Sequence, residues 1–170
     1  MYTATMLIEL LGLQPLVGEG GYFRQTWRSA ETIPASALPA RYGRAKSAGT
    51  AIYYLVTDAR DGSSALHRLP TDEVYHFYLG DPVEQLLLHA DGRTERVILG
   101  PDLVAGQQLQ HVAPAGSWQG TRLLPGGRVA LLGTTMSPGF DPADFEPGDR
   151  AALTRAFPAE AALIAELTRS

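Results

Sequence analysis

Residues able to move protons or hold ions crowd into one short stretch, Leu66-His67-Arg68-Leu69-Pro70-Thr71-Asp72-Glu73-Val74-Tyr75-His76-Phe77-Tyr78-Leu79-Gly80. It holds two of the chain's four histidines, two adjacent acids and three aromatic rings. Histidine changes charge near neutral pH, and a neighbouring carboxylate tunes that change. Histidine and carboxylate concentrated on strands point to a polar pocket inside a β-framework, either a metal site or an acid–base site. The competing reading makes His67 and Glu73 a buried structural pair that fixes the hairpin around Pro70-Thr71-Asp72. A buried charge that loses its partner costs about 3–5 kcal/mol, so mutual pairing is expected either way. His76 divides evenly between pocket lining and a satisfied core histidine. Strand alternation separates it from Glu73, three residues away, unless a bulge intervenes. His89 and His111 sit at strand or turn edges and read as structural.

The elements that must position this cluster are strands. Tyr22–Arg28 alternates large and polar residues after a Gly20-Gly21 turn, and Ala51–Thr57 is aromatic and β-branched, closed by turn residues over Asp58–Ser64. After the cluster come Val83–Leu88, an Ala90-Asp91-Gly92 hairpin signal and Thr94–Leu99, then Gln108–Ala113, Thr121–Leu124 and Arg128–Met136. Short strands at roughly ten-residue spacing imply a barrel or sandwich. Helical spacing appears at the start, with Met6, Leu7, Leu10 and Leu11 on one face, Thr3 as cap and Pro15 as stop. It returns over Asp149–Phe157 and Ala159–Leu167. Arg24, Thr26 and Arg28 alternate onto one strand face, where the two guanidinium groups suit an anion clamp at the barrel mouth or ordinary surface ion pairs. Tyr53, Tyr75, Phe77 and Tyr78 fill the core or line a cavity. Trp118 and Phe140 are candidates for capping the pocket, for core or for a dimer interface.

Composition bounds the function. At 170 residues the chain forms one domain, spanning 1–170, long enough to bury about 70% of its unfolded surface. A net charge of −4 without a basic run argues against nucleic acid. With no cysteine, disulfides and thiol chemistry are excluded, which suits a cytoplasmic setting. No run approaches the ~20 apolar residues of a membrane span. Met6–Leu13 carries Glu9, lacks a basic flank and does not read as a targeting segment. Gly43–Ser47 is no phosphate loop, and no serine stands in a Gly-x-Ser-x-Gly turn.

Gly20–Arg28, Ile52–Thr57, the His67 stretch, Pro114-Ala115-Gly116-Ser117-Trp118 and Ser137-Pro138-Gly139-Phe140-Asp141 together resemble the cupin superfamily, and within it a cupin-like family catalogued as a domain of unknown function. The resemblance covers about Leu7 to Leu167. It implies an all-β double-stranded β-helix, a jelly-roll barrel, with an N-terminal helix and short C-terminal helices, usually a homodimer. His67, Glu73, Gly80, Pro114 and Gly116 match the superfamily's two motifs. Leu69 and Gln119 stand where two further histidine ligands belong, so the resemblance implies no typical metal site and no cofactor. It implies a small polar or anionic organic ligand inside the barrel. Catalysis of an epimerase or isomerase type on a sugar or nucleotide sugar is one expectation. His67 would then be the general base, Glu73 its orienter and Tyr78 the acid, with Arg24, Thr26, Arg28, Tyr53, His76, Trp118, Gln119 and Phe140 binding the ligand. A non-catalytic binding module is the alternative, and a metal-dependent dioxygenase-like cupin a third.

Overall fold

The computed structural model describes residues 2–169. A short helix, α1 (Ala4–Leu11), precedes β1 (Gln14–Pro15), β2 (Tyr22–Arg28), β3 (Thr32–Ile33), β4 (Lys46–Ser47) and β5 (Thr50–Thr57). The middle of the chain forms β6 (Ser64–Arg68), β7 (Glu73–Gly80), β8 (Val83–Leu88) and β9 (Thr94–Leu99). Then follow β10 (Gln110–Ala113), β11 (Trp118–Leu123), β12 (Val129–Met136) and β13 (Glu146–Pro147), and the chain closes with α2 (Arg150–Ala156) and α3 (Ala161–Glu166).

Two sheets face each other, in the orders β1-β2-β5-β12-β7-β10 and β13-β6-β11-β8-β9. Every pairing between named strands in them is antiparallel, and from β5 onward the chain crosses back and forth between the sheets, apart from the β8–β9 hairpin, which gives the jelly-roll barrel. Period-two alternation sorts the side chains. Tyr54, Val56, Tyr75, Phe77, Val83, Leu87, Leu99, Ala130 and Leu132 point inward and fill one end of the barrel. Alternate residues point out and are covered. Leu55, Val129 and Leu131 pack under α1, while Leu66, Leu86 and Leu88 pack under Leu153, Leu163 and Ile164 of α2 and α3.

Local chemistry explains the element ends. The Thr3 hydroxyl accepts from the Met6 N–H at the start of α1, and the Asp149 carboxylate accepts from the Ala152 N–H at the start of α2. Gly12, in the left-handed region, ends α1. Pro15 therefore lies beyond the helix, in β1, paired with Tyr22. The inward face of α1 also differs from expectation. Ala4, Leu7, Ile8 and Leu11 pack on the sheet, whereas Met6 and Leu10 are 45% and 68% exposed. The stripe that meets the sheet follows i, i+3, i+4, i+7 from Ala4, one residue away from the reading that began at Met6. Gly80, at φ 103°, ends β7 where a Cβ would lie 2.3 Å from the Val129 carbonyl oxygen, so only glycine fits.

Three register shifts interrupt the ladders, one in β6 between Ser64 and His67 opposite Gly120 of β11, and two more that decide which way expected site residues face. In β2 the register against β5 shifts between Gln25 and Trp27, and the Thr26 hydroxyl donates to the Ala51 carbonyl, 3.1 Å away. In β7 the register against β12 shifts so that Leu131 opposes Leu79 and Leu132 opposes Phe77, leaving Tyr78 as the extra residue.

Leu132 is fully buried at the filled end of the barrel. Leu132→Ala is expected to destabilise the fold by about 2–5 kcal/mol, read from urea denaturation.

Candidate functional site

The other end of the barrel is open. A cavity of about 550 Å³ enters between the sheets, with Arg28, Gln25 and Gln14 at its exposed edge and Leu16, Phe23, Ile52, Met136 and Phe140 along its walls. His67, Glu73, Tyr54, Tyr75, Thr134 and Glu19 also line it, deeper in the barrel.

His67 and Glu73 come from different sheets, β6 and β7, and Gln119 joins them. Gln119 stands opposite His67 in register. Its amide nitrogen donates to Glu73 Oε2 at 2.8 Å and to His67 Nε2 at 3.3 Å. His67 Nδ1 lies 2.8 Å from the Ala65 carbonyl oxygen, which can only accept, so the ring carries its proton on Nδ1 and a lone pair on Nε2. Phe145 stacks on the imidazole with ring centroids 5.1 Å apart. The Tyr75 hydroxyl donates to Glu73 Oε2 at 3.4 Å. Burial raises the Glu73 carboxyl above the ordinary carboxylate value, opposed by the attraction of His67. Burial likewise holds the Tyr54 and Tyr75 phenols well above their ordinary value, so both stay protonated donors.

The hairpin that His67 and Glu73 might have fixed has other fastenings. Asp72 accepts from the Ala115 N–H at 2.7 Å, and the Thr71 hydroxyl donates to Tyr42 at 3.2 Å. The His67–Gln119–Glu73 array instead borders the cavity.

Of the expected ligand-binding residues, Arg28 and Phe140 line the cavity and Gln119 stands behind it, where it bonds to His67 and Glu73. The others lie elsewhere. The bulge at Thr26 sends Arg24 to the opposite face from Arg28, over the ring of Tyr53, and leaves Thr26 exposed. The bulge in β7 falls at Tyr78, too late to turn His76 inward. His76 bonds to Thr135 and Gln110, and stacks on Tyr78, whose ring meets Tyr53 edge-on. Tyr78, half exposed on this outer face, is remote from the role expected of it as acid. Trp118 faces the C-terminal helices, with the Arg68 guanidinium over its ring.

Glu19 is the residue that sequence reading missed. It reaches the cavity from the loop before β2, with Ser64 Oγ donating to its carboxylate at 2.7 Å and His67 Nδ1 4.0 Å away. Arg169 clasps that loop, donating to the Glu19 carbonyl at 2.9 Å and the Ser63 carbonyl at 2.7 Å. The one signal in the sequence is an acid set among glycines, Gly18-Glu19-Gly20-Gly21.

The donors present do not fit the metal centre that the barrel elsewhere supports. Leu69 lines the cavity without a lone pair to give, and Gln119 turns its N–H groups, not its oxygen, toward His67 and Glu73. No group of three or more His, Cys, Asp or Glu stands close enough to hold a metal ion among the described residues.

Comparison with known proteins gives the same fold. The chain matches the family described as Cupin superfamily (DUF985) over residues 5–147. An uncharacterized protein of Saccharomyces cerevisiae is 28% identical over 132 residues, which are 72% of this chain and 64% of that protein, so the match spans under two thirds of that relative's length. A hypothetical protein from Leishmania major is similar in structure, with TM-score 0.85, 30% identity, and 99% of this chain and 100% of that one covered. A cupin 2 domain-containing protein from Halorhodospira halophila, 18% identical, shares the fold with TM-score 0.54 over 89% of this chain and 84% of its own. The chain belongs to the cupin superfamily, in the family of DUF985. No helix among the described residues is long and apolar enough to cross a membrane.

Because the folded-state value of Glu73 is raised above that of an unfolded glutamate, near ~4.3, its contribution is present below that pH and is lost as pH rises through the folded value. The stability of the protein relative to Glu73→Gln is therefore expected to fall as pH rises from about 4 toward neutrality. Urea denaturation of both proteins across that range measures it, and a pH-independent difference contradicts the raised value.

Proposed function

We propose that this cupin barrel takes one compact organic molecule end-on and exchanges protons with it, in the manner of an isomerase or epimerase acting on a sugar-like substrate. The observation that carries the reading is the cavity ending on His67, Gln119 and Glu73, with Arg28 at its mouth. Arg28 is anchored by the Phe140 carbonyl at 2.8 Å and by Gln25 at 3.2 Å, so its guanidinium is held ready for an anion. Among the described residues it is the only Lys or Arg lining the cavity. One guanidinium suits a single carboxylate or phosphate, which favours a sugar acid or sugar monophosphate over a diphosphate-linked nucleotide sugar. At the inner end, Glu19 and Glu73 accept from hydroxyl or amino groups.

The chemistry that suits these groups is proton removal beside a carbonyl. His67 Nε2 carries the lone pair and takes the proton from carbon, while the Tyr75 phenol, kept protonated by burial, turns its hydroxyl from its long bond to Glu73 toward the oxygen that gains charge; the Tyr54 hydroxyl is held by the Gly20 carbonyl at 2.8 Å and shapes the wall. Glu73, with its raised value, retains a proton to higher pH than an exposed glutamate and serves to return one. Neither role falls to Tyr78.

A second reading, a binding module without catalysis, draws support from the Gln119 amide, which ties up both His67 Nε2 and Glu73 Oε2 as a purely structural network would. A homodimer is proposed as well. Exposed Trp27 and Tyr78, both on the six-stranded sheet, give apolar area for such a contact, and sedimentation at two protein concentrations tests it.

The decisive experiment starts with a thermal-shift screen of sugar acids, sugar monophosphates and nucleotide sugars, followed by nuclear magnetic resonance of each binder for proton exchange from solvent. His67→Gln is expected to slow exchange by about 10²–10⁴-fold while affinity changes only a few-fold. Binding without exchange in the unaltered protein sinks the catalytic reading and leaves the binding module. Arg28→Gln is expected to weaken a monoanionic ligand by roughly tenfold or more, measured by calorimetry, and to leave a neutral one unchanged.

A further inference from the structure

Behind Gln119 the barrel interior contains four polar atoms with no partner. They are Gln119 Oε1, Thr121 Oγ1, and both Nε2 and Oε1 of Gln85. All three residues are nearly or fully buried, at 2%, 0% and 0% exposure. The regular ladder between β11 and β8 puts Thr121 directly opposite Gln85. Gln119 is two residues from Thr121 on the same strand, so all three side chains project from one face of the five-stranded sheet. Directly opposed side chains start about 5 Å apart and diagonal ones about 7 Å apart, which are separations that one or two water molecules span.

Left dry, each such atom would lower the folding equilibrium constant by roughly 5- to 150-fold. The set is chemically complementary for water. Thr121 and Gln85 supply donors, Gln85 and Gln119 supply acceptors, and a buried water needs two to four such partners. We infer that the barrel holds an internal water site bounded by Gln85, Thr121 and Gln119, and that this water satisfies the Gln119 carbonyl oxygen in the orientation that turns its NH₂ group to His67 and Glu73.

The orientation matters because the two ends of an amide are opposites. With Oε1 accepting from the water, the NH₂ group faces His67 Nε2 and Glu73 Oε2 and donates to both, as observed. A flipped amide would turn its oxygen toward a carboxylate and an imidazole lone pair, and would point its N–H groups at the water site. Thr121 and Gln85 are thus positioning residues for the acid–base pair, acting through water and Gln119, and touch neither His67 nor Glu73. The inference holds whether the barrel catalyses or merely binds.

Substitution at Thr121 tests it without any ligand. Valine has nearly the shape of threonine, so Thr121→Val removes the hydroxyl and little else. If the hydroxyl holds water, the variant's folding equilibrium constant falls by about tenfold. If the hydroxyl is a dry orphan, the variant is as stable as the unaltered protein or more stable, and the inference is overturned. Thr121→Ser keeps the hydroxyl and serves as the matched control. The readout that packing alone would not move is the Gln119 side-chain amide in isotope-labelled protein. A cross-peak from it to a long-lived water, present in the unaltered protein and in Thr121→Ser and lost in Thr121→Val and Gln85→Leu, is the expected result. No such cross-peak in the unaltered protein overturns the site even if Thr121→Val is destabilised.

Discussion

The Glu73 carboxyl and the His67 imidazole, carried by opposite sheets, share a buried interior through a third side chain and not by direct contact. Here that intermediary is the Gln119 carboxamide, which spans the gap between β6 and β7 and donates to both groups. Desolvation alone would drive Glu73 to its neutral form, and the amide and the nearby imidazole oppose that drive. The rest of the arrangement follows from keeping this bridge intact. Phe77, Leu87 and Leu132 fill the closed end of the barrel, so the bridge stands above an apolar floor. Phe145 stacks over the imidazole and limits how far the ring can tilt.

The substitution of amide for imidazole at residue 119 also defines the kind of barrel this is. This chain brings together one imidazole, one carboxylate and an amide whose donors are turned toward both, with the Leu69 side chain lining the same cavity. The low local dielectric acts on the proton affinities of these groups. Two phenols and a carboxyl pushed upward by burial stand beside a second carboxylate, Glu19, at the inner end of the cavity.

Much of the fold was readable from residues alone, because strand alternation, the Asp91-Gly92 turn and the aliphatic spacing of the tail are local signals. Tyr22–Arg28, Val83–Leu88 and Thr94–Leu99 end where their patterns end. The site was readable only in part, and the reason is specific. Facing in a strand has a period of two, so one extra residue inverts every later side chain. The bulge at Thr26 separated Arg24 from Arg28, and the one at Tyr78 came after His76. Neither bulge is marked by glycine or proline. Glu19 was invisible for a different reason, since it arrives from a loop whose path is fixed by partners far along the chain.

Those partners give one wall of the cavity a remote dependence. The loop bearing Glu19 has its carbonyl fastened by Arg169, one hundred and fifty residues later, and the same guanidinium holds the Ser63 carbonyl just before β6. The shape of the chamber along that wall is therefore decided outside the sheets that enclose it. A change at Arg169 would act on the rim of the chamber before it acted on the packed strands beneath.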